Sequence, residues 1–149
     1  MLTALEKRSK MDYDALIERA MAAREKAYAP YSRFSVGAAL EAVSGNVYLG
    51  CNVENASFSA TCCAERTAFQ SAIVNGEKQF KRIAIVGGTM DDPVRSPCMP
   101  CGICRQVMRE FCDDAFEIVV SDGANTSIYS LAEILPGAFS KKNLNGPEA

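Results

Sequence analysis

Cys101-Gly102-Ile103-Cys104 sets two thiols three residues apart where a helical pattern begins. Residues at that spacing share one helical face, so both sulfurs can reach one ion. A third thiol, Cys63, also stands where a helical pattern begins. Helix N-termini carry partial positive charge and unpaired N–H groups, and both favour the thiolates that a metal needs. Three thiolates with an open fourth position make a catalytic zinc arrangement, and four closed ligands make a structural one. The local sequence leaves both open. Pro97-Cys98-x-x-Cys101 and Pro100-Cys101-x-x-Cys104 each match Pro-Cys-x-x-Cys, and Cys62 adjoins Cys63. Helix neighbours point about 100° apart, so one of that last pair can face the metal and the other cannot. A dithiol redox module is a further reading of Cys-x-x-Cys, but it leaves Cys63 unexplained. For Cys51, Cys62, Cys98 and Cys112 the plain reading is a small buried hydrophobe.

The chain has seven cysteines and no histidine. Without histidine there is no Ser-His-Asp or Cys-His catalysis and no imidazole-held metal. A general acid or base must then be Glu, Asp, Lys, Tyr or Cys. Glu65 lies two residues beyond Cys63. By itself, a glutamate in a first helical turn is an exposed residue favoured by the helix dipole. Beside a metal ligand, it is the natural carboxylate to take a proton from an activated water and pass it to a leaving group. Ligand-x-Glu followed later by Pro-Cys-x-x-Cys is the pattern of zinc deaminase chemistry, with Cys63 where histidine is common.

These residues must be held by a mixed α/β scaffold. The spacing predicts a helix from Asp12 to Tyr28, ended by Pro30. It predicts a hairpin of Val36–Val43 and Val47–Val53 across Ser44-Gly45. Helices follow at Cys63–Val74 and Cys101–Phe111, with strands at Arg82–Val86, Phe116–Val120 and Ser127–Tyr129. Thr89–Pro100 reads as loop. Ser130-Leu131-Ala132-Glu133 is a capping box before a last short helix. Strands separated by helices imply a mixed sheet covered by helices. At 149 residues, 48% hydrophobic and 23% charged, the chain has the composition of one globular domain spanning 1–149. The stretches 1–11 and 140–149 are expected to be loose. The odd cysteine count and the lack of a visible export signal point to reduced thiols and the cytoplasm. There is no run of about 18 apolar residues to span a membrane. A net charge of −2 does not suit a nucleic-acid partner.

Five ordered segments carry a resemblance. They are Pro30–Ala39, Asn52–Phe58, Cys63–Ala68, Pro100–Gln106 with Glu110-Phe111, and Leu135–Phe139. Together they resemble the small homotetrameric cytidine deaminases of nucleoside salvage. The resemblance implies the three-layer α/β/α cytidine deaminase fold with a mixed, roughly five-stranded sheet. It implies one Zn²⁺ per subunit on Cys63, Cys101 and Cys104, the Gly-x-Cys-Arg-Gln context favouring the second Pro-Cys-x-x-Cys. The implied activity is hydrolysis of cytidine and 2′-deoxycytidine to the uridines with release of ammonia, by attack of zinc-activated water on C4 and with Glu65 as proton shuttle.

The resemblance also implies a set of nucleoside contacts. Asn52 and Glu54 would hold the ribose hydroxyls, Phe34 would pack on the nucleoside, and the Ala64 N–H would meet the pyrimidine O2. Phe58, and Phe139 from a neighbouring subunit, would complete a pocket shared within a homotetramer. Arg66 would donate to a ligand sulfur, offsetting the net negative charge of three thiolates on Zn²⁺, and Arg105 could share that task. Two features depart from the family pattern: the extra Pro97-Cys98, and Phe58 where tyrosine is usual. Two other readings remain: deamination of a modified or antibiotic nucleoside, and a closed structural zinc site using Cys98 as fourth ligand.

Overall fold

The computed structural model describes residues 3–146. One five-stranded sheet runs in the order β2-β1-β3-β4-β5. Its strands are β1 (Phe34–Ala42), β2 (Val47–Cys51), β3 (Phe80–Thr89), β4 (Glu117–Ser121) and β5 (Thr126–Ser130). Every pairing is antiparallel except β3 with β4. The helices are α1 (Ala4–Arg24), α2 (Ala64–Val74), α3 (Gly102–Phe111), α4 (Leu131–Ile134) and α5 (Lys141–Asn145).

Strand alternation divides the core into two layers. Ala38 and Leu40 of β1, Ile83 and Ile85 of β3, and Ile118 and Val120 of β4 pack with Phe69 of α2 and Met108 of α3. The intervening Ala39, Ala84, Val86 and Val119 pack with Leu16 and Ala20 of α1. The result is the expected α/β/α sandwich. Beneath α1, buried Arg82 binds Glu41 at 2.6 Å and lies 4.8 Å from the Tyr13 ring centre, tying helix to sheet. On the other face an aromatic cluster anchors α2 to α3. Phe69 stacks on Phe111 at 5.8 Å and meets Phe80 edge-on at 4.9 Å.

Gly50 fixes how closely α2 approaches. A Cβ there would lie 2.1 Å from the Ala64 carbonyl oxygen and 2.5 Å from the Ala68 nitrogen. Only a residue without a side chain lets the start of α2 rest on β2.

Several boundaries differ from the sequence expectation. Helix α1 begins at Ala4, not Asp12, because Thr3 and Glu6 form a capping box at 2.8 and 3.2 Å. It stops at Arg24 rather than Tyr28. There the Arg24 guanidinium turns inward to the carbonyls of Ser35, Thr89 and Asp92, and Tyr28 bridges to Val53. Strand β3 continues through Gly87-Gly88, read as its end, because β1 supplies partners as far as Phe34↔Thr89. The stretch expected as a loose N-terminal extension therefore holds the first turns of α1, and the polar tail holds α5. Residues 1–2 and 147–149 lie outside the described residues. The Ser130–Glu133 capping box forms as read.

Candidate metal centre and active site

Cys63 and Cys101 occupy the same structural position. Each is the extended N-cap of its helix, with φ/ψ of −72°/155° and −67°/167°. The Cys63 carbonyl accepts from the Thr67 N–H at 3.1 Å, and the Cys101 carbonyl from the Arg105 N–H at 3.0 Å. Neither side chain caps its own helix, so both sulfurs are free to point elsewhere. They point at each other, 3.9 Å apart, and Cys104 joins them with all three sulfurs within 4.8 Å. Zn–S bonds of about 2.3 Å at tetrahedral angles place sulfurs about 3.8 Å apart. The donor set and its spacing therefore fit zinc.

The other cysteines stand apart. Among the described residues, Cys98 is not part of the three-sulfur cluster. Its sulfur is 2.7 Å from where a Gly87 Cβ would be, in space left by the missing side chain, and the Phe34 ring borders the same space at 3.2 Å. Burial pushes the Cys98 thiol up to about 11. Cys62 turns toward the Thr67 hydroxyl and Gln70. The closed four-thiol reading therefore lacks its fourth ligand.

Charge within the site is unevenly shared. The Cys63 thiol is held down to about 5, chiefly by the hydrogen bond from Cys104, then by Arg66 and Cys101. The same bond, together with burial, pushes Cys104 up. The Arg66 Nη2 lies 3.8 Å from the Cys63 sulfur and donates to the Thr61 carbonyl at 2.9 Å. Arg105 is directed elsewhere, to the Pro100 and Ile134 carbonyls, both at 2.8 Å. It braces the loop before α3 and the end of α4 rather than a sulfur.

Glu65 sits in the first turn of α2, 4% exposed. Burial pushes its carboxyl up to about 7, and the charge of Cys63 adds to the rise. It can therefore hold or release a proton near neutral pH. The buried Ala64 opens α2 between Cys63 and Glu65.

The remaining sequence candidates differ in exposure and in partners. Phe34 begins β1 at 42% exposure, immediately after Arg33 in the left-handed region at φ 57°. Asn52 is buried and engaged with the β1 backbone. Its Oδ1 accepts from the Val36 N–H and its Nδ2 donates to the Phe34 carbonyl, both at 2.8 Å. Glu54 accepts from the Tyr31 N–H at 2.8 Å and from the Ser32 N–H and hydroxyl, the Ser32 hydroxyl being the chief cause of its lowered carboxyl pKa. Ser32 was invisible as a partner in the sequence, because Glu54 reaches back 22 residues to find it.

Phe58 is 75% exposed and meets Tyr31 edge-on at 5.7 Å, while Phe139 is 59% exposed. A cleft of about 590 Å³ lined by Tyr13, Asn125 and Ile128 lies on the α1 side of the sheet, away from the sulfurs.

Comparison with known proteins bears on this arrangement. The profile of the cytidine and deoxycytidylate deaminase zinc-binding region matches residues 10–120. The cytidine deaminase of Sporosarcina psychrophila is 46% identical over 136 residues, covering 91% of this chain and 96% of its own. That of Halalkalibacterium halodurans is 43% identical, covering 91% and 99%. The crystal structure of cytidine deaminase from Burkholderia pseudomallei superposes with a TM-score of 0.77 at 49% identity, covering 85% of this chain and 98% of that one. Cytidine deaminase from Mycobacterium tuberculosis gives 0.73 at 36% identity, covering 86% and 97%.

Proposed function

Because the chain belongs to the cytidine and deoxycytidylate deaminase zinc-binding family, we propose how its residues divide the labour of deamination. The activity is zinc-dependent hydrolysis of cytidine to uridine and ammonia. The observation that carries the reading is the three-sulfur cluster at the starts of α2 and α3, with buried Glu65 two residues beyond Cys63. Cys63, Cys101 and Cys104 hold the ion. Bound zinc supplies Lewis acidity that brings the pKa of a water toward neutrality.

Glu65 takes one proton from the water that adds at C4 and passes it to N3, then takes the second from the new C4 hydroxyl and passes it to the 4-amino group, which leaves as ammonia while C4 becomes a carbonyl. Its raised carboxyl pKa suits both halves of that exchange. Arg66 offsets the charge of the three thiolates through Cys63. Phe34 packs on the nucleoside, the Ala64 N–H meets O2, and the ionised Glu54 accepts from the ribose. Asn52 joins Glu54 there through the donor and acceptor capacity left by its two β1 bonds.

Phe58, and Phe139 from a neighbouring copy, close the pocket in a homotetramer. Their exposure in the single chain supports that role. The same reading places 1–149 in one domain, extends the substrates to 2′-deoxycytidine, assigns the enzyme to pyrimidine salvage and puts it in the cytoplasm, where its seven free thiols stay reduced.

The test is loss of cytidine ultraviolet absorbance with ammonia measured in the same tube. Glu65→Gln is expected to keep fold and zinc while lowering kcat by about 10²–10⁴-fold. Near wild-type turnover in that variant overturns the role of Glu65. No ammonia from zinc-loaded wild type overturns the substrate.

A further inference from the structure

Phe139 projects from a segment that α3 grips at three points. Arg105 Nη1 donates to the Ile134 carbonyl at 2.8 Å, Gln106 Nε2 donates to the Phe139 carbonyl at 3.0 Å, and Lys141 pairs with Glu110 at 3.0 Å. Gln106 and Glu110 are four residues apart, so they share one side of the helix. Between the first two grips the chain turns at Gly137, whose φ is +62°. The middle grip differs from the others because it acts on the peptide unit of Phe139 itself. Fixing that carbonyl restrains the stretch of backbone that carries a ring 59% exposed.

We propose that Gln106 is the positioning residue for Phe139, holding its ring at the angle at which it enters the nucleoside pocket of a neighbouring copy. This rests on the reading of Phe139 given above. Helix α3 then serves two sites at once. Its N-cap and first turn carry Cys101 and Cys104 of its own metal centre, and its outer face aims a ring at the next. Gln106 touches no reacting atom, so its effect must pass through Phe139 and be felt in substrate binding more than in turnover.

The experiment measures kcat and KM for cytidine on zinc-loaded enzyme for Gln106→Ala, Gln106→Glu, Phe139→Ala and the Gln106→Ala/Phe139→Ala pair. Glutamate keeps the shape of glutamine but cannot donate to the carbonyl. Both Gln106 variants are expected to raise KM about three- to tenfold, the size of one lost hydrogen bond. Expected kcat stays within about twofold, and zinc content is unchanged. In the Phe139→Ala background, Gln106→Ala is expected to add nothing. A wild-type KM in Gln106→Glu overturns the proposal, as does an equal effect of Gln106→Ala with and without the Phe139 ring. A wild-type KM in Phe139→Ala overturns the reading of Phe139 as a pocket residue, and the proposal with it. A raised KM there with unaffected Gln106 variants overturns Gln106 alone.

Discussion

Three thiols crowded within 4.8 Å cannot all ionise without a cation to hold their charge. In the metal-free protein one of them takes the negative charge and Cys104 donates to it. Cys63 is that one. Its thiol is held to about 5 by Cys104, Arg66 and Cys101, whereas burial lifts Cys98 to about 11 and pushes Cys112 up as well. The nucleophile is the thiolate, so alkylation speeds up as pH rises through each thiol's pKa. For Cys63 that rise is complete by about pH 6, and for Cys98 it has not begun there. Iodoacetamide at pH 6 is therefore expected to label Cys63 before Cys98 and Cys112 in chelator-treated protein, and zinc is expected to protect it. Peptide mass mapping reads the order, and equal labelling of Cys98 would refute it. The meeting of Cys63, Cys101 and Cys104 was legible because helix starts and three-residue spacing are local properties, with the choice between the two Pro-Cys-x-x-Cys matches resting on the family resemblance. The exclusion of Cys98 was not. It depends on the space left by Gly87, which only strand pairing brings near.

At the scale of elements, the site depends on how α2 and α3 are seated. The Phe69–Phe111 stack holds them together beyond their first turns, and Gly50 holds the start of α2 to β2. Gly50→Ala would set a methyl against the α2 backbone, which cannot move aside as a side chain can. The expected cost is about 1–3 kcal/mol of stability, in the range of core overpacking. Zinc should bind more weakly as Cys63 is pushed from Cys101. Thermal unfolding and metal content after dialysis measure both, and unchanged zinc retention would show that α2 adapts elsewhere. Most elements could be read from periodicity and capping residues. Strand β3 was read short because Gly87-Gly88 resembles a stop signal, and here tertiary pairing with β1 overrides the local preference.

For the whole molecule, the exposed rings are the informative feature. Phe58 and Phe139 are large apolar groups that a lone chain leaves in water. In the proposed tetramer they close one another's pockets. Activity per chain is then expected to fall on dilution in step with loss of the four-chain species, followed by sedimentation and by cytidine turnover at matched concentrations. Full activity in a dissociated chain would contradict shared pockets. Among the described residues, no helix is long and apolar enough to cross a membrane. A mixed sheet covered by helices was readable from the alternation of elements, and its three layers from the family resemblance. The contacts of Gln106 and Glu54 were not, because they join residues 33 and 22 positions apart.

The parallel pairing of β3 with β4 also sets an order of events in time. Parallel neighbours need a crossover, and here the crossover carries α3 with two of the three proposed ligands. Cys63 therefore leaves the ribosome 38 residues ahead of Cys101. Until Cys101 follows, the nascent chain carries one of the three proposed ligands. An ion held there would cross-link two parts of the chain that synthesis delivers at different times, one before β3 and one after it.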